Sequence, residues 1–147
     1  MIGAVPFIGS GETCGALDDY NESCPFNPTG GRDVVYRYTP DRGLTVAIDL
    51  CPSDFDTKVY LYAGSCPSVS NSGMYEACND DACGVNGWRS QLTDITLLAG
   101  VDYFIVIDGY GVSDCGSYDL TIAERAPSDL CELAEVISIP WSGTVST

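Results

Sequence analysis

Eight cysteines, at positions 14, 24, 51, 66, 78, 83, 115 and 131, stand singly in turn-rich stretches of a chain that has no histidine. An even count with no CxxC pair and no imidazole specifies disulfides rather than a zinc or thioredoxin-like site, and disulfides imply an oxidising compartment. Whatever fold the chain adopts must therefore bring cysteines together in pairs at bonding distance.

Between the cysteines the chain reads as strands. Residues 34–39 (VVYRYT), 44–50 (LTVAIDL), 57–63 (TKVYLYA), 92–98, 102–108 (DYFIVID) and 117–123 (SYDLTIA) alternate, or run, in β-branched and aromatic residues. In 44–50, Leu44, Val46, Ile48 and Leu50 share one face and Thr45, Ala47 and Asp49 the other, the pattern of a strand with one solvated side. Phe104 to Ile107 is apolar on both faces, which predicts a central strand. Residues 40–43 and 99–102 form tight connections suited to hairpins, whereas the links 9–33, 51–56, 79–91 and 109–116 are long and rich in Gly, Asp, Asn and Cys. With strands alternating in direction and one short strand near 75–78, those four links gather at one end. The expected fold is an all-β, antiparallel β-sandwich over residues 1–126, stapled by disulfides. Residues 127–147 follow as a linker, with a short helix capped by Ser128 or Asp129, and a C-terminal strand extension.

Charge and composition exclude several functions. Six basic against twenty-one acidic residues give a net charge of −15, and Lys58 is the only lysine, so nucleic acid is not an expected partner. The apolar start is too short to span a membrane and lacks a basic leader, so membrane insertion is not expected and the export signal is expected to lie outside this numbering. Without histidine, Ser-His-Asp, Cys-His and HExxH centres cannot form, and no Gly-rich phosphate loop follows a strand. The chain is expected not to be an enzyme.

The two termini resemble each other. Residues 135–147 (EVISIPWSGTVST) lie over residues 1–13 (MIGAVPFIGSGET) without a gap, matching Pro140 to Pro6, Gly143 to Gly9 and Thr147 to Thr13. Val136/Ile2, Ile139/Val5, Trp141/Phe7 and Thr144/Ser10 are conservative partners. A first strand placed at the end of a chain has no domain of its own there, and must find one in a neighbour.

Several phrases in order, CGALDDYNESC, RDVVYRYTP, LCPSDFDTKVYLYAGSC, ACNDDACGVNGWRSQL, LLAGVDYFIVIDGYG and CGSYDLTI, resemble the bacterial pre-peptidase C-terminal domain and its relatives, over Val5 to Ile122. The resemblance implies a secreted, jelly-roll-like, non-catalytic module of a bacterium, used singly or in tandem. Tandem members open on a Cys, an Ala and an apolar-Pro-aromatic stretch, which Cys131, Ala134 and Ile139-Pro140-Trp141 match. The family phrases and proximity favour Cys14 with Cys24 and Cys66 with Cys78; Cys51 with Cys83 and Cys115 with Cys131 complete one of the 105 pairings open to eight cysteines.

Two functional expectations follow. The first is a structural subunit of an extracellular filament, a head-to-tail homopolymer in which the C-terminal strand adds to the next subunit. Its interface residues are Val136, Ile137, Ile139, Pro140, Trp141 and Val145 of the tail, with Ile2, Val5 and Phe7 of the first copy. The alternative is an accessory or adhesive module from a longer tandem-repeat protein. No cofactor is required by either; calcium is the one candidate ligand, with Asp54, Asp56, Asn79, Asp80 and Asp81 as candidate oxygen donors. The competing role for these residues is to cap loop amides or face solvent.

Overall fold

A computed structural model describes residues 1–26, 30–65 and 75–125. Eight strands, β1 (Phe7–Glu12), β2 (Val34–Tyr38), β3 (Leu44–Asp49), β4 (Thr57–Ala63), β5 (Ala77–Asn79), β6 (Gln91–Leu97), β7 (Tyr103–Gly109) and β8 (Ser117–Glu124), form two antiparallel sheets. One has the order β1-β8-β3-β6 and the other β2-β7-β4-β5. β1 pairs with β8, β2 with β7, β3 with β6 and β4 with β5. This is one long hairpin rolled up on itself into an eight-stranded jelly roll, so the strand pattern's expectation of an antiparallel sandwich holds.

The alternation in β3 is realised as written: Leu44, Val46 and Ile48 are buried in the core between the sheets, and Thr45, Ala47 and Asp49 lie on the outer side. β7 is central in its sheet, between β2 and β4. The core is closed by Val59, Leu61, Ile105, Ile107, Leu120 and Ile122. β4 is buried on its second face as well, because residues of the β1–β2 loop cross the outside of that sheet and cover Tyr60 and Tyr62 together with Cys24 and Tyr20.

The nested pairing corrects two expectations. Residues 40–43 and 99–102 are not hairpin turns: β2 and β3 lie in different sheets, as do β6 and β7, so both segments arch between sheets and meet through Gly100 N donating to Pro40 O at 2.8 Å. The disulfides also differ. Cys14 is bonded to Cys115, Cys24 to Cys78 and Cys51 to Cys83. Cys14 does not take Cys24, because the pairing of β1 with β8 sets the loop after β1 beside the loop before β8, where Cys115 waits. Cys24 instead lies on the outside of β4 and β5 and reaches Cys78, which is then not available to Cys66. Cys115 is likewise not free for Cys131. The expected Cys51–Cys83 bond is present. Cys66 and Cys131, and the expected linker, helix and tail over 127–147, lie outside the described residues.

Cys14–Cys115 and Cys51–Cys83 join long links at one end of the roll, while Cys24–Cys78 fastens the β1–β2 loop to the outer side of β5. Their value rises with the loop closed. In the chain-entropy treatment a closure of 101 residues by Cys14–Cys115 contributes about 4.7 kcal/mol and one of 32 residues by Cys51–Cys83 about 3.7 kcal/mol. Urea unfolding of the paired Cys→Ser variants is expected to show the larger loss for the Cys14/Cys115 pair, and the reverse order contradicts this account. Leu120→Ala, at a fully buried position, is expected to cost about 3 kcal/mol with an unchanged denaturant slope.

Candidate functional site: buried carboxylates at the loop end

Lys58, the only lysine, lies on the outer face of β4 and is wholly buried. Its Nζ donates to Glu22 O at 3.1 Å and stands 5.8 and 5.7 Å from the ring centroids of Tyr60 and Tyr110. Glu22 is buried too and accepts from Tyr62 Oη at 2.9 Å through Oε1, while its main-chain oxygen also accepts from Tyr60 Oη at 3.3 Å. Tyr60 Oη donates to Asp108 Oδ2 at 2.9 Å. The β1–β2 loop is thus fastened to the outside of the sheet by polar groups that only make sense together, since each would be costly to bury alone. Asp33 completes the attachment by accepting from the backbone N–H groups of Asp19 and Tyr20 at 2.8 and 2.9 Å.

The charge balance of this end is negative. Among the described residues the buried ionisable acids are Glu22, Asp33, Asp80 and Asp108, and the buried base is Lys58 alone. Burial pushes the Asp108 carboxyl up to about 8, against the hydrogen bond from Tyr60, with Asp33 adding repulsion. Burial likewise raises Asp80 to about 7, and Asp33 and Asp56 to about 6.

The expected cation ligands separate into two groups. Asp56, from the link before β4, and Asp80 and Asp81, which follow β5, each place one carboxylate oxygen within 4.8 Å of the others. Asn79 is occupied elsewhere, its Oδ1 accepting from Gln91 N at 2.9 Å. Asp54 is exposed and lies over Gly116, where an added Cβ would stand 2.2 Å from its Oδ1. The sequence reading missed Lys58, Glu22, Tyr60 and Asp108. The signal was there in the lysine set inside the apolar run 57–63 and in the aspartate closing 103–108.

Ile2, Val5 and Phe7 are used inside their own domain rather than presented as an interface. Ile2 is 3% exposed, donates its N–H to Arg37 O at 2.8 Å and bridges Tyr38 in parallel beside β2. Five residues later, Phe7 begins the pairing with β8 in the other sheet, and Val5 and Phe7 pack against the core, Phe7 edge-on to Tyr36 with centroids 5.8 Å apart. The N-terminal segment therefore fills a slot that spans both sheets. Phe7 leans over Gly9, where an added Cβ would lie 2.8 Å from the ring, so the aromatic requires a glycine two residues on. The tail residues Val136, Ile137, Ile139, Pro140, Trp141 and Val145 lie outside the described residues. Among the described residues no helix is long and apolar enough to cross a membrane.

The raised carboxyls have a measurable consequence. Each holds a proton in the folded chain at pH values where the unfolded chain, with carboxyls near 3.9, has lost it. The folded state then binds more protons than the unfolded one between about pH 4 and 8, and stability falls as pH rises through that window. In chelator-treated buffer the thermal midpoint is expected to drop from pH 5 to pH 8. Asp108→Asn, which keeps an acceptor for Tyr60, is expected to flatten the drop; a midpoint that holds or rises across this window contradicts the reading.

No protein-family model matches the chain, and neither the curated proteins nor the solved structures give a match.

Proposed function

We propose that this chain is a structural, non-enzymatic subunit of an extracellular filament, joined head-to-tail by addition of its C-terminal segment to the next copy. Three disulfides in a small all-β domain fit an oxidising extracellular setting. The observation that carries the proposal is the slot of the N-terminal segment. It needs an aliphatic residue beside β2, an aliphatic-Pro-aromatic turn into the second sheet, and a glycine under the aromatic ring. Residues 136–143 repeat that specification at the same spacing: Val136, Ile139-Pro140-Trp141 and Gly143.

A matching segment at the other end of the chain is what strand addition requires. In the receiving copy residues 2–12 hold this slot and β8 is already paired with β1 and β3, so strand addition requires the N-terminal segment to move aside. β8 then offers main-chain hydrogen bonds, and the vacated slot offers pockets for Val136, Ile139 and Trp141. Each buried aliphatic side chain would contribute about 1.5 to 3 kcal/mol before the entropy of ordering the tail is subtracted. The contact is heterologous, so it propagates unless it closes a ring.

The oxidised chain with and without residues 132–147, compared by size exclusion and electron microscopy, tests the proposal. The full chain is expected to form elongated assemblies, the shortened chain to stay monomeric, and Trp141→Asp to abolish assembly while leaving the domain folded. A full chain that remains monomeric at high concentration overturns the filament reading and favours an accessory or adhesive module whose tail belongs to a covalent neighbour.

A further inference from the structure

We infer that Asp56, Asp80 and Asp81 form a calcium site that ties the β3–β4 loop to the β5–β6 loop.

The main chain at Asp80 is held from both sides. Its carbonyl accepts from Ser90 Oγ at 2.8 Å, and Ser90 N donates to Thr57 Oγ1 at 2.9 Å, so the backbone directs the Asp80 side chain inward rather than to water. Asp80 is 1% exposed, and neither of its carboxylate oxygens has a hydrogen-bond partner. Asp56 Oδ1 is buried without a partner as well. A buried carboxylate with both oxygens unanswered is a costly arrangement unless something outside the protein answers it.

The neighbouring cations answer only through space, Lys58 favouring the charged form of Asp80 and Arg89 and Lys58 that of Asp56, with no hydrogen bond to the unpartnered oxygens. Lys58 directs Nζ to Glu22 O and makes no ion pair among the described residues. Arg89 donates Nε to Ser53 O at 2.8 Å and Nη1 to Val85 O at 3.5 Å, both carbonyls. The basic groups closest to the cluster thus serve main-chain oxygens, and the carboxylates remain.

The donor set selects the ion. Three carboxylates from loops, with no nitrogen or sulfur donor in the set, suit a hard cation. Oxygens bound to one calcium at about 2.3 to 2.6 Å lie no more than about 5 Å apart, a limit the three residues satisfy within 4.8 Å. Calcium accepts irregular and bidentate carboxylate sets of this kind, whereas magnesium prefers an octahedron built mostly of water. Asp81 is exposed and Asp56 half-buried, which leaves the ion a route in and room for water ligands. The affinity expected of so small a charged set is that of extracellular modules, about 0.1 to 1 mM.

The bridged loops are those joined by Cys51–Cys83, so the ion and the disulfide brace the same junction. The inference concerns a single domain and stands or falls independently of assembly.

The test titrates the full, oxidised, chelator-stripped chain with calcium chloride, magnesium chloride and sodium chloride at matched ionic strength, by calorimetry and thermal unfolding. Calcium is expected to bind with one site per chain and to raise the midpoint by about 5 °C at about 10 mM, with magnesium far less effective. Asp80→Asn is expected to remove both responses. Asp81→Asn, at an exposed position that cannot threaten folding, is expected to weaken binding by about tenfold, while Asp119→Asn, exposed on β8, leaves it unchanged. Absence of binding and of any midpoint shift in the native chain overturns the site, as does an Asp81→Asn chain that binds like the native one.

Discussion

The pairing of the first strand with the last is the constraint on which the rest of this molecule depends. Once β1 lies against β8, the remaining strands nest inside as β2 with β7, β3 with β6 and β4 with β5, and the chain rolls into two layers. Cys14–Cys115 locks that outermost pair across 101 residues of sequence. The same nesting carries the four long links to one end, which is why Cys14–Cys115, Cys51–Cys83 and the Asp56, Asp80 and Asp81 carboxylates gather there rather than being scattered.

That crowding has an electrostatic side. The β1–β2 loop lies across the outside of a sheet and brings Glu22 with it, and the sheet answers with Lys58, Tyr60 and Tyr62. One lysine cannot balance four buried acids, and one of the four, Asp80, stands with Asp56 and Asp81 where the β3–β4 and β5–β6 loops meet. A cation bound there, as proposed, would act on the same junction as the Cys51–Cys83 disulfide by different means, one sensitive to chelation and the other to reduction.

Much of the fold was legible because strand periodicity is a local property. The one-faced pattern of Leu44, Val46 and Ile48, and the two-faced run from Phe104 to Ile107, each determine where their strand sits in a layer. What stayed hidden depends on residues far apart. Cys14 and Cys24 are ten positions apart in sequence, yet one bonds Cys115 in the β7–β8 link and the other Cys78 in β5, partners that only the tertiary pairing of strands reveals. The burial of Lys58 depends on a loop 36 residues earlier passing over it. Of the five expected oxygen donors, Asp56, Asp80 and Asp81 converge, while Asn79 turns to Gln91, a choice set by the pairing of β5 and not by the run of acids.

The terminal resemblance gains a physical meaning from the slot, since the spacing of Ile2, Val5, Phe7 and Gly9 reflects one sheet-to-sheet crossing and the ring over the glycine. If the tail of one copy displaces residues 2–12 of the next and takes their slot, register follows: Ser142 corresponds to Ile8, which pairs with Thr121 on β8. The most direct measurement is therefore a cysteine cross-link between Ser142→Cys and Thr121→Cys, read on a non-reducing gel. The account predicts a ladder of covalent multimers from the double variant and none from either single variant. A double variant that runs only as a monomer, under conditions in which its native disulfides are intact, would contradict it.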